Sequence, residues 1–174
     1  MVSDNPGGMI PAEEARQEVV RLARRMAMMY HHVGQVLVER LGKKAAREIL
    51  REAIWRYGEE CGKKVRETVQ AMGLPLTVEN FDKARDLPRY GWEARRRYEG
   101  GVARPVVTYC PLAAVWLEKG SAELGRIYCL VDEAKYLSYN GIRCVHVKNL
   151  LDGDDCCEFS IGEPGTGEAR RDEA

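Results

Sequence analysis

No Cys-x-x-Cys pair occurs in this chain, which argues against a thioredoxin-like redox centre and a zinc ribbon alike. Net charge is missing too: 27 Lys and Arg balance 27 Asp and Glu, so nothing global steers the chain towards nucleic acid or an anionic membrane. No window approaches the roughly 20 apolar residues of a membrane span, and residues 1–11 hold no basic segment leading into an apolar run. The resulting expectation is a cytoplasmic protein that binds no membrane and no nucleic acid. In a reducing compartment its six cysteines are thiols, thiolates or metal ligands, not a disulfide framework.

What is present points to a folded unit at residues 11–161 between flexible tails at 1–10 and 162–174, because both ends lack apolar periodicity and carry Gly and Pro. Pro11 followed by two acids marks a helix start. Apolar residues then recur at helical spacing from Val19 to Leu41, where Gly42 ends the run, and a second stripe from Ala46 to Met72 closes at Gly73. Two long amphipathic helices joined this tightly predict an antiparallel helical hairpin, and Gly58 and Gly62, one turn apart, allow a close helix contact. A short helix is expected from Val78 towards Leu87, a strand at Val106–Tyr109, and helices at 112–119 and 122–136. Residues 89–104 receive no assignment, although Arg95-Arg96-Arg97 reads as a solvated helix face. The expected fold class is α+β: an N-terminal antiparallel helical hairpin packed with further helices against a small antiparallel β-sheet.

Two strand-forming runs, 142–151 and 154–161, flank Asp152-Gly153, a strong two-residue hairpin signal. That turn sets His146 opposite Phe159 and Lys148 opposite Cys157, with Cys144, His146, Cys157, Phe159 and Ile161 on one face. Diagonal neighbours then bring His146 or Lys148 within reach of the Cys157 thiol, and a nearby cation lowers a thiol pKa. Cys110 has an equivalent opportunity, since it precedes Pro111 at a helix start whose free N–H groups favour a thiolate. Among the histidines, His32 flanks the apolar stripe of the first helix and His31 points away from it.

The blocks Tyr30-His31-His32-Val33, Leu37-Val38-Glu39, Glu52 to Gly58, Cys110-Pro111, Leu124 to Asp132 and Gly153 to Phe159 together resemble the L-2-amino-thiazoline-4-carboxylic acid hydrolase family. The C-terminal half also resembles vinyl-reductase-like ligand-binding domains, some of which hold metal through cysteines. The first resemblance implies a hydrolase that opens a small cyclic amidine such as 2-aminothiazoline-4-carboxylate to N-carbamoyl-cysteine, by C–N bond hydrolysis with an activated cysteine and no cofactor. It implies Cys157 or Cys110 as nucleophile, Asp155 or Asp132 as the carboxylate that pairs with the amidinium, and Lys148 or Arg126 for the substrate carboxylate. Cys129, His146 and His32 complete the substrate site. Where the family often has an aromatic before Cys157, this chain has Cys156. The alternative is a sensor-like binding module with Zn held by Cys110, Cys129, Cys157 and His146. A plainer alternative is an interaction protein forming a homodimer through its helices, with Met26, Met28 and Met29 as an adaptable surface.

Overall fold

The structure is a computed structural model that describes residues 9–88, 90–99 and 102–162. The expected tails fall outside the described residues, apart from residues 9, 10 and 162. Helix α1 is a continuous run Ala12–Ala71 with one non-helical residue, Gly42, at φ 78° and ψ 160°. A left-handed φ of this kind suits glycine, which has no Cβ to clash. The chain reverses there. On a straight helix Tyr30 and Tyr57 lie about 40 Å apart at 1.5 Å per residue, yet both rings lie against Tyr128, with centroids 5.2 and 6.4 Å from it. Residues 12–41 and 43–71 are therefore the two arms of the expected hairpin.

The buried line of the first arm is narrower than hydropathy suggests. It runs Ala23, Ala27, Tyr30, His31, Gly34, while Leu22, Met29, Val33 and Val36 stay exposed. Small residues prevail on that line because α3 (Pro111–Glu118) and α4 (Ala122–Tyr128) approach the arm closely. Trp116 Nε1 donates to the Ala27 carbonyl at 3.0 Å, and the Tyr30 hydroxyl donates to the Leu124 carbonyl at 3.2 Å. The same rotation corrects the histidine expectation: His31 is buried and its Nδ1 lies 2.9 Å from Ser121 Oγ, whereas His32 is exposed, edge-on to His31. Met26 is half-buried against the core, and Met28 and Met29 lie on the surface.

The second arm packs on α5 (Leu130–Asn140) through Gly58 and Gly62. A Cβ at Gly58 would sit 2.7 Å from Ala134 Cβ and from the Val131 carbonyl oxygen, and one at Gly62 would run into the Lys135 carbonyl oxygen. The expected 122–136 helix is thus two helices with Cys129 at the break. Helix α2 is only Val78–Phe81, capped by the Thr77 side chain, which accepts from the Asn80 N–H at 3.2 Å. Among the described residues no helix is long and apolar enough to cross a membrane.

Four antiparallel strands form one sheet in the order β1-β2-β4-β3: β1 Glu93–Glu99, β2 Val102–Tyr109, β3 Arg143–Lys148 and β4 Cys157–Gly162. The unassigned stretch is therefore a strand and part of its partner, and the arginine run lies on β1, not on a helix; Arg96 pairs with Asp82. Cys144 opposes Ile161 and His146 opposes Phe159 as expected, but a bulge after His146 places Lys148 opposite Glu158, not Cys157. Nor is the connection a two-residue turn. A 3₁₀ turn, Leu150–Asp152, follows β3, and Asn149 organises it: its Oδ1 accepts from the Leu151 N–H at 2.9 Å, while its own N–H donates to Asp154 Oδ2 at 2.7 Å. Asparagine competes with the ladder for local backbone groups in this way, so the strand ends earlier than strand propensity suggests.

Two apolar cores result. One joins both arms of α1 to α3 and α4 around Tyr30, Ile54, Trp116 and Leu124, and the other joins the far end of the second arm to α5 and the sheet around Val69, Phe81, Tyr139 and Ile161. The candidate site lies against the first of them, where Cys110 and Cys129 pack.

Candidate functional site

Three chain segments deliver cysteines to one region. Cys110 follows β2 directly and is the N-cap residue of α3; Cys129 sits at the α4–α5 break; Cys157 opens β4 and pairs with Val107 of β2. Cys110 and Cys129 pack on the same core, together with Trp92 and Leu150. Asp132, in the first turn of α5, is the shared charge: it acts on Cys110, Cys129, Cys157 and His146 alike. Cys110 in turn acts on both other thiols.

The donors around each sulfur differ. Cys110 Sγ faces the backbone N–H groups of Ala113 and Leu112 and the Trp92 side chain. Cys157 Sγ accepts from the Leu150 N–H at 3.4 Å. Cys129 Sγ faces the Asn149 side chain. Burial outweighs these donors in every case, and the Asp132 charge works in the same direction. It raises the Cys110 thiol, pushes Cys157 up to about 11 and pushes Cys129 up to about 12. Burial thus reverses the activation expected from sequence, and the resting site holds protonated thiols. Alkylation is the measurement: the iodoacetamide rate at Cys157, followed by peptide mass spectrometry, rises roughly tenfold per pH unit between about pH 6 and 9, because only the thiolate reacts. A flat profile would contradict a raised pKa.

Asp132 is anchored from the other side. Lys135, 5% exposed, reaches Asp132 at 3.4 Å and Asp86 at 3.5 Å. Burial opposes the charge on Lys135, but the two carboxylates outweigh it and hold its pKa above the ordinary lysine value. The ion pair anchors the Asp132 carboxylate on α5. His146 is half-buried against Phe159, at 4.3 Å between ring centroids, and burial lowers its pKa against the opposing pull of Asp132.

Of the other expected residues, Arg126 stands at the margin, where its Nε donates to Asp152 at 2.8 Å while its charge acts on Cys129 and His146. Asp155 and Lys148 are not brought to the cluster. They pair with each other at 3.3 Å on the surface, because the bulge and the 3₁₀ turn carry both outward. His32 is also remote from it, on the outside of α1 beside His31. Among the described residues no group of three or more His, Cys, Asp or Glu side chains has the arrangement to hold a metal ion, so the alternative zinc set Cys110, Cys129, Cys157 and His146 is not assembled. A surface depression of about 440 Å³ lies along the second arm between Arg51, Trp55 and Leu130.

Sequence reasoning missed Trp92 and Asn149. Trp92 sits in the stretch without assignable periodicity. Asn149 falls inside the strand-forming run 142–151, although an Asn just before an Asp-Gly turn is itself a local capping signal.

Thiols, one anchored carboxylate and an imidazole, set between a helical hairpin and a four-stranded antiparallel sheet, are equipment for nucleophilic and proton-transfer chemistry. The chain belongs to the L-2-amino-thiazoline-4-carboxylic acid hydrolase family, whose model matches residues 23–161. By that membership it is a hydrolase. Among curated proteins and among solved structures, none matches the chain.

Proposed function

We propose that the protein opens the ring of a small cyclic amidine of the 2-aminothiazoline-4-carboxylate type at the Cys110, Cys129, Cys157 and Asp132 cluster. The observation that carries this reading is the packing of Cys110 and Cys129 on one core, with the Asp132 charge acting on both and on Cys157. A carboxylate in that position suits an amidinium, whose protonated ring nitrogen makes the amidine carbon electrophilic. The bound cation also offsets the burial that keeps the thiols protonated.

Cys110 is the nucleophile in this scheme, because it faces three N–H donors where Cys157 accepts from one. Its thiol gives a proton to Asp132 and its sulfur attacks the amidine carbon. The bond between that carbon and the ring sulfur then breaks, and the ring sulfur leaves with the proton from Asp132. Water displaces Cys110 and completes the carbamoyl group. Atom balance corrects the C–N expectation: N-carbamoyl-cysteine keeps both nitrogens on the former amidine carbon, so the bond lost is C–S. Arg126, half-exposed at the margin, takes the substrate carboxylate.

The test is direct. Incubation with 2-aminothiazoline-4-carboxylate releases one new thiol per turnover, read by a thiol reagent, and N-carbamoyl-cysteine by mass spectrometry. Protein that leaves the substrate intact under these conditions would exclude the reading.

A further inference from the structure

Asn149 is 1% exposed, and its side-chain nitrogen Nδ2 has no hydrogen-bond partner among the described residues. The orientation of the amide is fixed, since Oδ1 is the atom that accepts from the Leu151 N–H at 2.9 Å. Nδ2 is thus the free end of the amide, and the Asn149 side chain lies by the sulfur of Cys129, a weak acceptor while it stays protonated. Buried amide donors are seldom left unmatched, and a catalytic role is one of the explanations for such an exception.

The chemistry of ring opening names the acceptor. Attack on an already protonated amidine creates no oxyanion; the atom that gains negative charge is the departing ring sulfur. We propose that Asn149 is a catalytic residue whose Nδ2 donates a hydrogen bond to the ring sulfur as it leaves, which selects substrates with a sulfur leaving group. The proposal rests on the hydrolytic reading above and adds a contact to it. A donor whose partner strengthens only as the bond breaks raises kcat and leaves KM nearly unchanged.

Asn149→Asp separates this role from the structural one. Aspartate keeps the oxygen that caps the 3₁₀ turn, but loses the amide donor. The expected result with 2-aminothiazoline-4-carboxylate, at a pH high enough to ionise the buried carboxyl, is a kcat lower by about 100-fold, the usual effect of removing one transition-state donor, with KM within about twofold. Acidification recovers part of the loss, because the protonated side chain regains a donor. Should the aspartate variant not fold, Asn149→Ser supplies the same comparison, with a capping oxygen on a side chain too short to reach the sulfur. A variant with wild-type kcat, or a raised KM at constant kcat, overturns the proposal while the hydrolytic reading stands. Wild-type protein inert towards the substrate removes both.

Discussion

Replacing Cys110 with serine is expected to lower turnover of 2-aminothiazoline-4-carboxylate on the order of 10³-fold with little change in fold. The sulfur occupies the N-cap position of α3 and faces the N–H groups of Leu112 and Ala113 and the Trp92 side chain. Serine is a good N-cap residue and preserves those contacts, so thermal melting should barely move. A hydroxyl, however, ionises far less readily than a thiol, and Asp132 has no means to generate an alkoxide. The parallel Cys157→Ser and Cys129→Ser variants supply the contrast. Their sulfurs face fewer donors, and each substitution should cost much less turnover. Full activity in Cys110→Ser with loss in Cys157→Ser would transfer the nucleophile to β4. Rates from single-turnover assays, with melting curves alongside, decide between these outcomes.

Replacing Gly62 with alanine is expected to destabilise the protein by about 3 kcal/mol, at the upper end of ordinary overpacking. The new methyl group would meet the Lys135 carbonyl oxygen, with Ser138 Cβ 3.0 Å away. A backbone oxygen inside α5 does not swing aside as a flexible side chain would. The second arm must then move off α5, and the contact that suffers includes Ser138 Oγ, which donates to the Glu59 carbonyl at 2.8 Å. Displacement of α5 also shifts Lys135 and Asp132, which it carries. Denaturant unfolding measures the stability loss, and the same variant should lose turnover through misplacement of Asp132. An unfolding midpoint equal to wild type would show that the arms separate without cost.

Much of the hairpin was legible because its signals are local. Gly42 between two apolar stripes, Gly73 after the second, and Gly58 with Gly62 one turn apart state a chain reversal and a close contact without reference to the rest of the fold. The face each arm buries was less legible. Hydropathy marked Leu22, Met29 and Val33, but Trp116 and Leu124 approach the chain so closely that the small residues Ala23, Ala27 and Gly34 take the inside, and His31 goes with them. The β3–β4 pairing at His146 and Phe159 followed from alternation, whereas the bulge and the 3₁₀ turn came from Asn149 taking backbone partners that a plain hairpin would use.

By itself the sequence determined the helical hairpin, most of the other helices, the β3 and β4 pairing at His146, the α+β class and the concentration of thiols after residue 109, since propensity, periodicity and capping act over a few residues. Only the tertiary structure decided which charges act on which groups: the Asp132 charge acts on Cys110, Cys129 and Cys157, while Asp155 turns outward to Lys148. It also decided the protonation state of the site. A thiol pKa depends on how much water the whole fold removes from around the sulfur, and desolvation is a property of packing between segments distant in the chain.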